Sequence, residues 1–162
     1  MTQESAAAEG PTGLGGWLVL VAIGLVIASL RLLLLLSQTH LSIFLNGTWE
    51  TITTPGNEAY HPLWAPILIF EIVGNAAMAI ACVALLFLFF QKSRRFPPFY
   101  IALALIGIGF VVLDAWLGSI VNPDEPMLDS DTGRELGRSI GTALVWVPYM
   151  LGSKRVRNTF LA

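Results

Sequence analysis

The chain has 162 residues, within the roughly 100–200 expected of one domain; 55% are apolar, 12% are charged and the net charge is −2. An ordinary soluble domain carries about 25% charged residues, so this composition excludes a water-soluble fold and points to an integral membrane protein. The acidic balance excludes a basic nucleic-acid binder, and a single cysteine, Cys82, excludes an intrachain disulfide framework or a paired-cysteine metal or redox motif.

Residues 1–12 are acidic and rich in Ala and small polar side chains, the composition of a disordered tail. No Lys or Arg precedes Arg31, so the basic start of a signal peptide is missing. A helix needs about 20 mainly apolar residues to cross a hydrocarbon core about 30 Å thick. Runs of that kind predict an all-α protein, with residues 13–162 forming one integral membrane four-helix bundle. The first span is expected at about 16–37 and is interrupted by Arg31. In the segment that follows, Leu41, Phe44, Leu45, Thr48, Trp49 and Ile52 keep a helical spacing. They predict a short interfacial helix on the outer surface, ended by Thr54-Pro55-Gly56; the competing reading is a hairpin turning at Asn46-Gly47.

The second span is expected at about 64–90 and the third, behind Phe96-Pro97-Pro98, at about 98–121. The fourth, at about 134–151, is short, begins with Arg134 and Glu135, and carries Pro148, which either kinks its far end or stops it. Lys92, Arg94 and Arg95 lie between spans two and three, and Lys154, Arg155 and Arg157 follow span four. The positive-inside rule puts both clusters in the cytoplasm, with both termini inside. The segment 37–63 and the acidic segment holding Asp124, Glu125, Asp129 and Asp131 then face outward.

Four charged residues fall inside the spans, where each costs on the order of 3 kcal/mol and needs a reason. They are Arg31, Glu71, Asp114 and Arg138, one per span. Counting about 1.5 Å per residue from the outer ends puts them at about 8, 10, 9 and 6 Å depth, a common level. Two cations and two anions at one height are expected to neutralise one another, with Asn75 a turn from Glu71 and with Ser139 and Thr142 adding hydroxyls. One reading is structural, an ion-pair network that sets helix register. The other is an outward-opening binding cavity lined by these charges, Asn75, Trp64 and Trp116 and capped by the surface helix. A carboxylate left unpaired there is a candidate proton carrier.

Gly133, Gly137 and Gly141 form a small-residue stripe on span four, expected to pack within the bundle, with homodimerisation the alternative; Gly107 and Gly109 also read as packing positions. His40, His61, Glu50 and Glu58 share the outer segment but show no recognised metal spacing, so no metal or cofactor is expected. Asn46-Gly47-Thr48 fits a glycosylation sequon of low specificity, and Cys82 reads as a small packing residue. With both histidines read as lying outside the spans and no Ser or Cys set beside one, an enzyme is not expected.

The opening Gly13-Leu14-Gly15-Gly16-Trp17-Leu18, the intramembrane Glu71 and Asp114, and the ending Pro148-Tyr149 with Ser153-Lys154-Arg155-Val156-Arg157-Asn158-Thr159-Phe160 resemble a bacterial inner-membrane family known as domain of unknown function 2569. The resemblance covers the chain from Gly13 onward, and the stretches Thr53–Gly56 and Tyr60–Trp64 look like the longer outer segment of some members. It implies four helices in the inner membrane and assigns no activity. Physically, the opening glycines give a flexible lead to Trp17 at headgroup level. Lys154, Arg155 and Arg157 are expected to meet anionic lipid, or a cytoplasmic partner, while Val156 and Phe160 dip into the interface. The function expected is binding of an amphiphile, a lipid headgroup or an envelope protein; a proton-coupled transporter using Glu71 or Asp114 and a structural assembly factor are the alternatives.

Overall fold

In the computed structural model, which describes residues 10–124 and 126–161, every regular element is helical. Residues 1–9 of the expected tail and Glu125 of the acidic segment lie outside the described residues. Helix α1 (Trp17–Leu35) continues through a wide π-helical turn at Leu36–His40 into α2 (Leu41–Leu45). A short α3 (Thr48–Thr53) follows, then α4 (Trp64–Phe90), α5 (Phe96–Val121), α6 (Ser130–Gly152) and α7 (Lys154–Val156), which ends in a second π-turn at Arg157–Leu161. Three stretches, Trp17–Leu45, Trp64–Phe90 and Phe96–Val121, are long and apolar enough to cross a membrane. Large side chains such as Ile27, Ile80, Phe87, Ile106 and Leu144 point outward and lie more than half exposed, an apolar exterior suited to lipid rather than water.

The expected continuous surface helix is broken. Asn46 ends α2 and Gly47 takes the left-handed conformation, φ 80°, that reverses a chain at a helix C-terminus. The Asn46 side-chain oxygen accepts from both the Thr48 N–H and its hydroxyl, which starts α3. Leu41, Phe44 and Leu45 thus belong to the extension of α1, while Trp49 and Ile52 belong to α3; Phe44 and Trp49 meet across the break at 5.0 Å between ring centroids. Among the described residues no strand forms at Asn46-Gly47.

Helix α4 ends with Lys92 in a left-handed conformation, φ 52°. The Ser93 N–H donates to the Leu88 carbonyl and the Lys92 N–H to that of Phe89, both at 3.0 Å, closing the helix before α5 starts on Pro97 and Pro98, which need no amide partner in a first turn. Asp129 caps α6 by accepting from the Thr132 N–H at 2.7 Å. Helix α6 runs on through Pro148 to Gly152, so the proline does not stop it.

Packing follows chain order: α1 lies on α4, α4 on α5 and α5 on α6. The Thr159 hydroxyl donates to the Gly13 carbonyl at 3.3 Å, so the first and last described segments meet at one end of the bundle, here termed proximal. That end is closed by packing. Phe89, Phe96 and Phe160 form an aromatic cluster with centroids 4.8–5.9 Å apart, walled by Leu18, Val21 and Val156, all essentially without solvent contact. Val156 and Phe160, expected at the membrane interface, are therefore core residues: the π-turn after α7 folds Phe160 back against Phe96. Two of the opening glycines are likewise packed: a Cβ at Gly15 would come to 3.0 Å from the Arg155 guanidinium and one at Gly16 to 3.5 Å, whereas Gly13 faces open space.

Glycine use on the long helices also differs from expectation. Nothing lies within 4 Å of a Cβ placed at Gly133, Gly137 or Gly141, so the stripe on α6 faces open space and packs no helix of the described chain. The close approach is at Gly74 instead, where an added Cβ would fall 2.2 Å from the Phe110 ring, itself 5.3 Å from the Phe70 ring between centroids.

Candidate functional site

The seam between α1 and α6 is not closed by a shared packed face. Side chains bridge it at two heights. Arg31 on α1 donates to Glu135 on α6, and nearer the proximal end Trp17 meets Trp146 edge-on at 6.3 Å between centroids. With about 1.5 Å rise per residue, these bridges stand about 21 Å apart along α1. Behind them lies a cavity of about 800 Å³ walled by α1, α4, α5 and α6. Its distal part is polar, with Arg31, Glu71, Asn75, Asp114, Glu135 and Arg138; its proximal part is apolar, with Leu25, Met78, Cys82, Leu85, Leu103 and Trp146.

The structure places Arg31, Glu71, Asn75, Asp114 and Arg138 on the wall of this one cavity. It does not place Trp64 or Trp116 there. Trp116 stands two residues from Asp114, about 200° round the helix, and points outward with half its surface exposed. Trp64 opens α4 at the distal rim, ahead of the turn that carries Glu71. No residue between Leu35 and Glu71 lines the cavity, so the α2–α3 segment does not cap it; α3 packs on α4.

The pairing differs from the mutual neutralisation expected of the four charges. Arg31 is taken by Glu135, and Glu71 faces His40, whose Nε2 lies 3.5 Å from Glu71 Oε1 and 3.5 Å from Asn75 Nδ2. Asp114 and Arg138 have no ion pair among the described residues. Asp114 also opens on a second, polar cavity of about 170 Å³ beneath the α5–α6 connection, whose wall includes Ser119, Asn122 and Asp129. Hydrogen bonds from Thr132 to Asp129 in that wall hold its carboxyl below the ordinary carboxylate range.

His40 and Glu135 are the residues that sequence reasoning missed. His40, read as lying outside the spans, is 3% exposed and stands on the continuation of the first long helix, with Nδ1 unpartnered among the described residues. The π-turn Leu36–His40 sets its position, as such turns often do at functional sites. The signal was present: reading Leu41, Phe44 and Leu45 as a continuation of span one puts His40 within it. Glu135 lies one turn before Arg138 and Ser139, so helical spacing already aligned it with the cavity face. Among the described residues no three His, Cys, Asp or Glu side chains gather as a metal site, and His61 instead accepts at Nδ1 from the Leu63 N–H.

The profile of the family described as Protein of unknown function (DUF2569) matches residues 11–161. No curated protein and no solved structure matches the chain. The chain belongs to the DUF2569 family, and the matched range includes all four helices that wall the cavity and both end segments that clasp at the proximal end.

Proposed function

We propose that this member of the DUF2569 family is a four-span protein of the bacterial inner membrane that binds a lipid-like amphiphile in its α1–α4–α5–α6 cavity. The observation that carries the reading is the division of one cavity of about 800 Å³ into a charged distal part and an apolar proximal part. Ligand pockets run to about 300–1,000 Å³, so a cavity of this size takes a headgroup together with a chain. The unpacked α1–α6 seam gives a chain lying in the bilayer a lateral way in.

Helix α6 is the fourth span in this reading. Its charged start, with Asp131 and Arg134 largely exposed, stands at headgroup level, while Arg138 turns to the cavity rather than to lipid. The meeting of Gly13 with Thr159 supports an even number of crossings. The basic clusters at Lys92–Arg95 and Lys154–Arg157 support a cytoplasmic proximal end. The polar part of the cavity then lies in the outer leaflet, with α3 and Trp49 beside it at the interface. The chain acts as a binding protein and not as an enzyme: His40 faces a carboxylate and an amide rather than a hydroxyl or thiol.

The test is native mass spectrometry of the full chain released from bacterial membranes in mild detergent. The wild type is expected to retain one amphiphile per chain. Ala104→Trp or Met78→Trp, which fill the cavity from α5 and α4, should lose it while keeping the wild-type thermal transition. Equal retention in both filled variants, or no retained molecule in the wild type, overturns the reading. Asp114, at the junction of the two cavities and without an ion pair among the described residues, favours one second reading, proton coupling. It predicts proton flux into reconstituted vesicles under a pH gradient, lost in Asp114→Asn; vesicles showing no flux above the lipid background remove it.

A further inference from the structure

The charges of the cavity select among amphiphiles, an inference that rests on the binding reading above. Of the groups lining the polar part, Arg31 and Glu135 neutralise each other, and Glu71 is faced by His40, which also meets Asn75. Two charges of opposite sign are left without a partner among the described residues, Arg138 on α6 and Asp114 on α5. Ionised groups at membrane depth require a counter-charge, from the protein or from what it binds.

We infer that the cavity takes an amphiphile whose headgroup carries an anionic phosphate and a cationic ammonium together, the phosphate on Arg138 and the ammonium on Asp114. The guanidinium is the better phosphate ligand because its planar fork donates two parallel hydrogen bonds. The carboxylate side suits an ammonium for a second reason: Glu71, Asp131 and Glu135 line the polar part along with Asp114, so the region carries more acidic than basic groups. A headgroup bearing only a phosphate satisfies Arg138 but leaves Asp114 bare among other acids. A headgroup bearing only an amine satisfies Asp114 and leaves Arg138 bare. An aminoalkyl phosphate satisfies both, and its chain occupies the apolar part beside Leu25, Met78 and Leu103.

The experiment compares three probes of equal chain length on the delipidated full chain in detergent, titrated by native mass spectrometry. Lysophosphatidylethanolamine carries both charges, lysophosphatidylglycerol the phosphate alone and a primary alkylamine the ammonium alone. The first is expected to bind at least about tenfold more tightly than either of the others, the scale of one charge-assisted hydrogen bond. Asp114→Asn should bring it down to the phosphatidylglycerol level, and Arg138→Gln to the alkylamine level. Equal binding of all three probes overturns the headgroup assignment while leaving an amphiphile cavity in place. Binding of none overturns the cavity reading as well. The three-probe comparison on the wild type needs no variant, so the inference is decided even where a substitution disturbs folding.

Discussion

The two ends of the bundle solve the same packing problem in opposite ways. At the proximal end Phe89, Phe96 and Phe160 interlock and exclude solvent, with Val156 and Leu18 completing the seal. At the distal end the same helices hold Arg31, Glu71, Asp114, Glu135 and Arg138, and the space between them stays open. Aromatic and aliphatic side chains gain by contact with one another and draw helices together until no gap remains. Charged side chains must keep partners or solvent, so helices that carry them stop short of contact. Packing is thus concentrated at one end and the open cavity at the other.

That division is sharpened first at the proximal end, where the largest effect is expected. Phe96→Ala removes the ring shared by the Phe89 and Phe160 contacts and should cost about 3–5 kcal/mol, read from unfolding in mixed micelles. Amphiphile retention by the fraction still folded should be unchanged. A cost under about 1 kcal/mol would mean that the aromatic end is not the stabilising one.

Gly74→Ala comes next, on α4 between Glu71 and Asn75 at the level of the polar part of the cavity. Its methyl would collide with the Phe110 ring, which is wedged beside Phe70 and lines the cavity wall, so a loss of about 1–3 kcal/mol is expected together with weaker amphiphile retention. Loss of stability with retention intact would separate the α4–α5 contact from the binding wall.

The distal bridge should matter much less to stability. The Arg31 and Glu135 side chains are 47% and 37% exposed, so a double-mutant cycle with Arg31→Leu and Glu135→Leu should give a coupling of only about 0.2–1 kcal/mol. Because the pair spans the α1–α6 seam, the double variant should exchange bound amphiphile faster than the wild type. Unchanged exchange would show that the bridge does not guard the opening.

The smallest effect is confined to the start of α6. Hydrogen bonds from Thr132 depress the Asp129 pKa in the folded state, so their contribution is present above the unfolded carboxylate pKa and is lost as pH falls through the depressed value. Protection of the Thr132 amide, taken against its intrinsic exchange rate at the same pH, should therefore fall in acid. Asp129→Asn, still a good helix cap, should abolish that pH dependence while keeping protection at neutral pH. Acid-independent protection of the Thr132 amide in the wild type would contradict it.

Run length made three membrane-capable helices readable, because a hydrocarbon layer imposes a minimum apolar length that composition alone reports. Helical spacing also put Arg31, Glu71, Asn75, Asp114 and Arg138 at similar heights. Spacing does not report which way each helix is turned. Trp116 was therefore assigned to a cavity it faces away from, and the glycine stripe of α6 to a contact that Gly74 makes instead. The choice of partner lay beyond reach for the same reason. His40 arrives at Glu71 only through a π-turn, and Glu135 reaches Arg31 across a sequence separation of 104 residues.

What the amino-acid sequence determined by itself is an all-helical chain with membrane-capable helices and ionisable groups near one level, because hydrophobic length and helical rise are local properties of the chain. Tertiary structure alone decided that one end is sealed by aromatics, that the α1–α6 seam is left unpacked, and that Asp114 and Arg138 have no ion pair among the described residues. Those outcomes depend on helix rotation and on contacts between segments far apart in the chain, where a turn of about 100° per residue decides whether a side chain meets lipid, a neighbour or the cavity.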